Sequence, residues 1–107
     1  MKLITAIVNK DDSTAVQAGL TSGGFSVTRL ATTGGFLMAG NVTFITAVDD
    51  DKVDAAIDII SAQSKQRKQL VPATSSYGLG ISSSYPLEVT VGGATIFVQA
   101  IERFEKF

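Results

Sequence analysis

Val42-Thr43-Phe44-Ile45-Thr46-Ala47-Val48-Asp49-Asp50-Asp51-Lys52-Val53-Asp54-Ala55-Ala56-Ile57-Asp58-Ile59-Ile60 changes its period at the three aspartates, and that change decides the fold. Val42 to Val48 is dense in β-branched and aromatic residues and reads as a strand. From Val53 onward the apolar positions Val53, Ala56, Ile57 and Ile60 fall on one stripe at helical spacing, which predicts a helix continuing to about Gln66, with Pro72 at or just beyond its end. Asp49, Asp50 and Asp51 place carboxylates at the positive end of that helix. A divalent-cation cluster is the other reading of three aspartates. Capping accounts for them adequately, and no calcium-loop spacing follows.

Upstream lies Thr32-Thr33-Gly34-Gly35-Phe36-Leu37-Met38-Ala39-Gly40-Asn41, a glycine-punctuated loop. Glycines let backbone N–H groups approach an anion or a base, threonine hydroxyls and the Asn41 amide can hydrogen-bond it, and Phe36 and Leu37 add apolar surface. A turn that is merely glycine-rich is the plainer alternative, because no P-loop lysine follows. Before the loop, Phe25 to Leu30 is rich in strand formers and is expected to pair with Val42 to Val48 as a hairpin. Further back, Asp11, Asp12 or Ser13 caps a helix carrying Val16 and Leu20 on one face, and Gly23-Gly24 supplies a left-handed exit. Gly19 inside this helix costs on the order of 1 kcal/mol relative to alanine, which points to close packing there. Leu3 to Val8 is a nearly continuous apolar run, as expected of a central strand.

Downstream, Lys65 to Lys68 is the one basic cluster, expected in the last helical turn where cations complement the dipole. Val71 to Tyr85 has no period and reads as a long loop in which Tyr77 and Tyr85 offer rings and Ser82-Ser83-Ser84 offer hydroxyls; loops of ~15 residues in compact domains are usually functional or disordered. Leu87 to Val91, Gly92-Gly93 and Ala94 to Ile101 carry a hairpin signal, followed by a tail containing Phe104 and Phe107. The order predicts an α+β, ferredoxin-like βαββαβ fold with an additional C-terminal strand: an antiparallel sheet with two helices on one face. The other face then needs cover, and a homo-oligomer is the economical answer.

At 107 residues with 45% hydrophobic and 18% charged content, one domain over 1–107 is expected. Cysteine and histidine are both absent. That removes the thiolate nucleophile, the zinc-thiolate site and the usual general base, and no motif pairs a Ser or Thr with a Lys, Asp or Glu, so binding rather than catalysis is expected. The net charge of -1 provides no field for nucleic acid. No apolar run approaches the ~20 residues of a membrane span, and no signal-peptide core follows Met1-Lys2, so a cytoplasmic location is expected.

Leu30-Ala31-Thr32-Thr33-Gly34-Gly35-Phe36-Leu37, then Ala39-Gly40-Asn41, and Glu88-Val89 through Val91-Gly92-Gly93-Ala94-Thr95, resemble the PII-like cyclic di-AMP receptor family, itself similar to nitrogen-regulatory PII proteins. The resemblance runs from Met1-Lys2-Leu3-Ile4 through Val48-Asp49-Asp50 to Phe104 and Phe107. It implies a homotrimer of ferredoxin-like subunits with nucleotide held between subunits. By motif position it implies that Thr28, Gly35, Phe36, Leu37 and Asn41 line the pocket, with Phe97 contributed at the subunit boundary. Ser26 and Ala47 are counted with them, at positions where relatives often carry Arg and glycine. Gly24 stands where relatives have Asn, and Glu105-Lys106 where their tail commonly has His-Gln. A missing guanidinium at position 26 removes a charge-assisted contact worth roughly 1.5 to 3 kcal/mol, and Arg29 is expected to point to the opposite sheet face. The implied function is a cytoplasmic, non-enzymatic signalling protein that binds cyclic di-AMP without a cofactor and relays loop ordering to an unidentified protein target, with no nucleic acid or membrane involved. The alternative is the same trimer binding a mononucleotide such as ATP or AMP, or acting as a ligand-independent interaction module.

Overall fold

β1 (Lys2–Asn9) is the strand on which the fold is assembled, pairing antiparallel with β3 (Asn41–Val48) on one side and β6 (Ala94–Ala100) on the other. The computed structural model describes residues 1–30, 40–71 and 87–107 and, within these, every side chain except those at 69, 71, 87 and 89. Gly35, Phe36 and Leu37, and the expected long loop from residue 72 on with Tyr77 and Tyr85, lie outside the described residues.

The short β2 (Thr28–Leu30) pairs antiparallel with β3, as the hairpin reading expects, and completes a sheet of order β2-β3-β1-β6. Alternation along β1 puts Ile4, Ala6 and Val8 on one face and Leu3, Thr5 and Ile7 on the other. The first set is buried with Val42, Phe44 and Val48 of β3, Val16 and Leu20 of α1 (Ser13–Ser22), and Ala56 and Ile60 of α2 (Val53–Gln63). Both helices therefore cover the same face, as in a ferredoxin-like fold. Gly19 packs against α2: a Cβ there would lie 2.9 Å from Ile59 Cγ2, which is the close packing that its place inside a helix predicts.

The second face carries Thr28 and Leu30 of β2, Thr43, Ile45 and Ala47 of β3, and Thr95, Phe97 and Gln99 of β6. Among the described residues no helix or further strand packs over it, and only the tail after β6 reaches its Leu3–Ala47 end. Phe97 is 47% exposed and Leu30 36%, while Leu3, Ile7 and Ile45 are half-buried.

Four local expectations are corrected. Helix α2 ends at Gln63 rather than near Gln66, because the Ser64 hydroxyl donates to the Ile60 carbonyl and its own N–H turns to the Ser61 carbonyl, closing the last turn. Arg67 and Lys68 consequently sit not in a helical turn but on β4 (Arg67–Val71). Leu87 to Val91, β5, does not form a hairpin with Ala94 to Ala100; it pairs with β4 in a separate two-stranded arm, and β6 takes the fourth place in the main sheet. Gly92 and Gly93 both have positive φ (83° and 79°), yet they join two sheets instead of turning one hairpin.

The strand from Phe25 is also shorter than its composition predicts, starting only at Thr28. At the far end of β3, Asp49 presents its carbonyl to the Lys52 N–H, and Asp50 accepts from the Met1 ammonium at 2.8 Å. That ammonium holds the Asp50 carboxyl below the usual carboxylate range, with Lys2 adding to the effect.

Candidate functional site

Thr46 organises the end of the sheet from which the site is built. It is buried, and its hydroxyl donates to the Ser26 carbonyl at 2.6 Å, tying the segment before β2 to β3. The bond holds Ser26 and Thr28 beside Ala47. On the neighbouring strand, the Ile101 N–H donates to the Met1 carbonyl at 3.1 Å and extends the β1–β6 pairing by one step, so the tail leaves the sheet next to Leu3.

These two arrangements enclose a cavity of about 530 Å³. Its sheet wall is made by Leu3, Ser26, Thr28, Ile45, Thr46 and Ala47, and its outer wall by Ile101, Phe104 and Lys106 of the tail. Hydroxyls from Ser26 and Thr28, apolar surface from Leu3, Ile45 and Ile101, an exposed aromatic ring and one ammonium converge there. Lys106 is the one ionisable side chain among these. Such a lining suits a ligand with a flat apolar part and an anionic part.

Ser26, Thr28 and Ala47 are thus brought together, while the other two described site residues are not. Asn41 is six residues from Ala47 along β3, about 20 Å away. It lines a smaller cavity of about 180 Å³ with Asn9, Gln66, Gly92, Gly93 and Thr95. Phe97 lies on β6, across the whole width of the sheet from Thr28, with its ring on the uncovered face. Arg29 pairs with Phe44, so it faces the helix side and is directed away from Thr28.

Sequence reasoning assigned no site role to Lys106, Phe104, Ile101 or Leu3. The available signal was the spacing of Phe104 and Phe107 around Glu105-Lys106, whose relation to the pocket depends on where the tail runs after β6.

A family model for the cyclic-di-AMP receptors matches residues 1–107. A crystal structure of a protein of unknown function from Pediococcus pentosaceus ATCC 25745 is 33% identical, covers 99% of this chain and 96% of its own, and superposes with a TM-score of 0.75. The ferredoxin-like fold is therefore that of a PII-like protein. The chain belongs to the cyclic-di-AMP receptor family. No helix among the described residues is long and apolar enough to cross a membrane.

Proposed function

We propose that this chain is a non-enzymatic signalling protein that binds cyclic di-AMP at the interfaces of a homotrimer and passes the binding event to a protein target through the order of its loops. The observation that carries the reading is the cavity shared by Ser26, Thr28, Ala47 and the tail. It is large enough for a base and its neighbouring phosphate, and it lies on the face of the sheet that the helices leave open. Membership of a family of cyclic-di-AMP receptors supports the choice of ligand.

Within this reading Thr28 and Ser26 bond the base edge or a phosphate, Phe104 provides stacking surface, and Lys106 takes the place of the guanidinium that Ser26 lacks. A second copy laid over Leu30, Ile45 and Phe97 covers the apolar face and brings its own Phe97 to the pocket of the first. Asn41, with Gly35, Phe36 and Leu37, belongs to the other end of β3, about 20 Å from this pocket, and borders the ligand as the contribution of a neighbouring copy. The partner then reads loops whose ordered state the ligand favours, a population shift.

A mononucleotide such as ATP or AMP is the second reading, and Ser26 is the feature that favours it, because it stands where the relatives' guanidinium would supply a contact to the cyclic dinucleotide. A thermal-shift series separates the two. A ligand at a hundredfold its dissociation constant adds about 2.7 kcal/mol of stability. Stabilisation by cyclic di-AMP well above that by ATP or AMP supports the proposal, and the reverse order overturns it.

A further inference from the structure

Asp12 stands at the N-cap position of α1, where an aspartate ordinarily accepts from the first free N–H groups, yet its carboxylate makes no capping bond. It turns instead toward a residue 55 positions later. Arg67 Nη1 lies 3.1 Å from Asp12 Oδ1 and 3.2 Å from Oδ2, and donates as well to the Lys65 carbonyl at 3.3 Å. The Asp12 side chain is 11% exposed, so the pair is largely shielded on the carboxylate side. Arg67 opens β4 and pairs with Val91, the last residue of β5, so this guanidinium sits at the root of the two-stranded arm.

The root is also where the backbone is most crowded. A Cβ on Gly92 would lie 2.6 Å from the Lys65 carbonyl oxygen, 2.7 Å from Arg67 Nη1 and 3.4 Å from Asp12 Oδ2. A Cβ on Gly93 would meet Gln66 Cγ at 3.2 Å. The two segments that join the arm to the body, Lys65-Gln66 and Gly92-Gly93, thus touch at a point where only glycine fits and where one guanidinium contacts both the arm and the body.

The 3-10 turn that presents Asp12, Lys10–Asp12, has a second attachment. Its Lys10 N–H donates to the Gly40 carbonyl at 2.6 Å, immediately before β3 begins at Asn41. Asn9 Oδ1 accepts from the Asp11 N–H and the Ser13 hydroxyl donates to the Lys10 carbonyl, which keep the turn in one shape.

We propose that Asp12 and Arg67 lock the orientation of the β4–β5 arm on the sheet, and that the Lys10–Asp12 turn couples this lock to Gly40, so that the arm and the start of β3 move together. Ligand-free protein tests this, so the bearing of the lock on nucleotide binding, which rests on the function proposed above, can fail separately.

The chain has no cysteine, so Gln17→Cys on α1 and Thr90→Cys on the arm, both exposed positions, accept spin labels cleanly. Labelled chains are diluted with unlabelled protein so that only distances within a subunit are read. The parent gives one narrow distance distribution. Arg67→Met, which keeps the aliphatic stem and removes the charge, loses it, Asp12→Asn does the same, and the double variant is no broader than either. In Arg67→Met the Lys10 amide exchanges roughly tenfold faster, as expected when the turn loosens. Gly92→Ala, which crowds Arg67 without removing a charge, broadens the distribution as well and serves if Arg67→Met does not fold. A distribution as narrow as the parent's in folded variants overturns the lock, and an unchanged Lys10 amide overturns its coupling to Gly40.

Discussion

Thr28 and Phe97 lie on a single row of the sheet at its two opposite edges: Thr28 pairs with Ile45, Ile45 with Thr5, and Thr5 with Phe97. Directly paired residues share a face, so both side chains project from the side the helices leave open. Three inter-strand steps separate them, about 14 Å. One small ligand group cannot touch both within a subunit, whereas a second copy seated on the open face can bring its Phe97 to the first copy's Thr28.

A composite site of this kind is expected to show complementation. Thr28→Val and Phe97→Ala should each abolish or strongly weaken cyclic di-AMP binding alone. Mixed after dissociation and reassembled, they should recover roughly a quarter of the sites, since random assortment across a heterologous interface places an intact Thr28 beside an intact Phe97 that often. Titration with a fluorescent cyclic di-AMP analogue reads the active fraction. No recovery would mean that both side chains serve sites within their own subunit.

Lys106 is expected to carry the charge that the pocket would otherwise lack. Lys106→Ala should weaken cyclic di-AMP about tenfold, the lower range for a charge-assisted bond because the tail is exposed to solvent. Ser26→Arg introduced into that variant should restore affinity from the opposite wall of the same cavity. Isothermal titration of the three proteins checks this, and equal affinity for the parent and Lys106→Ala removes the tail from the site.

Thr46→Val keeps the shape of the side chain and deletes the hydroxyl that holds Ser26. Leaving the Ser26 carbonyl without its partner should cost about 1 to 2 kcal/mol of stability. Binding should fall beyond that loss, because β2, only Thr28–Leu30, has few other attachments. Urea melts measured with and without ligand separate the two effects.

Much of this architecture is legible in the residues themselves. The apolar alternation of β1, the stripe on α2 and the cost of Gly19 in a helix identify the core and the contact between the helices, because each is a local pattern repeated in the packing. The arm is not legible. Arg67-Lys68-Gln69 are good helix formers and extend the helical pattern past the point where Ser64 ends it. Gly92-Gly93 has the composition of a tight hairpin turn, and both residues adopt the positive φ such a turn needs. Which strands pair across them is settled at long range, by β1 accepting β6 and β4 accepting β5. The sheet wall of the cavity gathers Ser26, Thr28 and Ala47, residues that the family resemblance and not their own pattern singles out, and its outer wall is illegible. Lys106 and Phe104 reach it only because the chain continues alongside β1 at Ile101.

Calorimetric titration of the purified protein with cyclic di-AMP, alongside Asn41→Ala, tests the central claim most directly. A cyclic di-AMP receptor of this build gives saturable binding with one nucleotide per subunit and weaker binding by the variant. No heat from either protein at nucleotide concentrations up to about 1 mM, where an interaction stronger than roughly -4 kcal/mol would be detected, would contradict it.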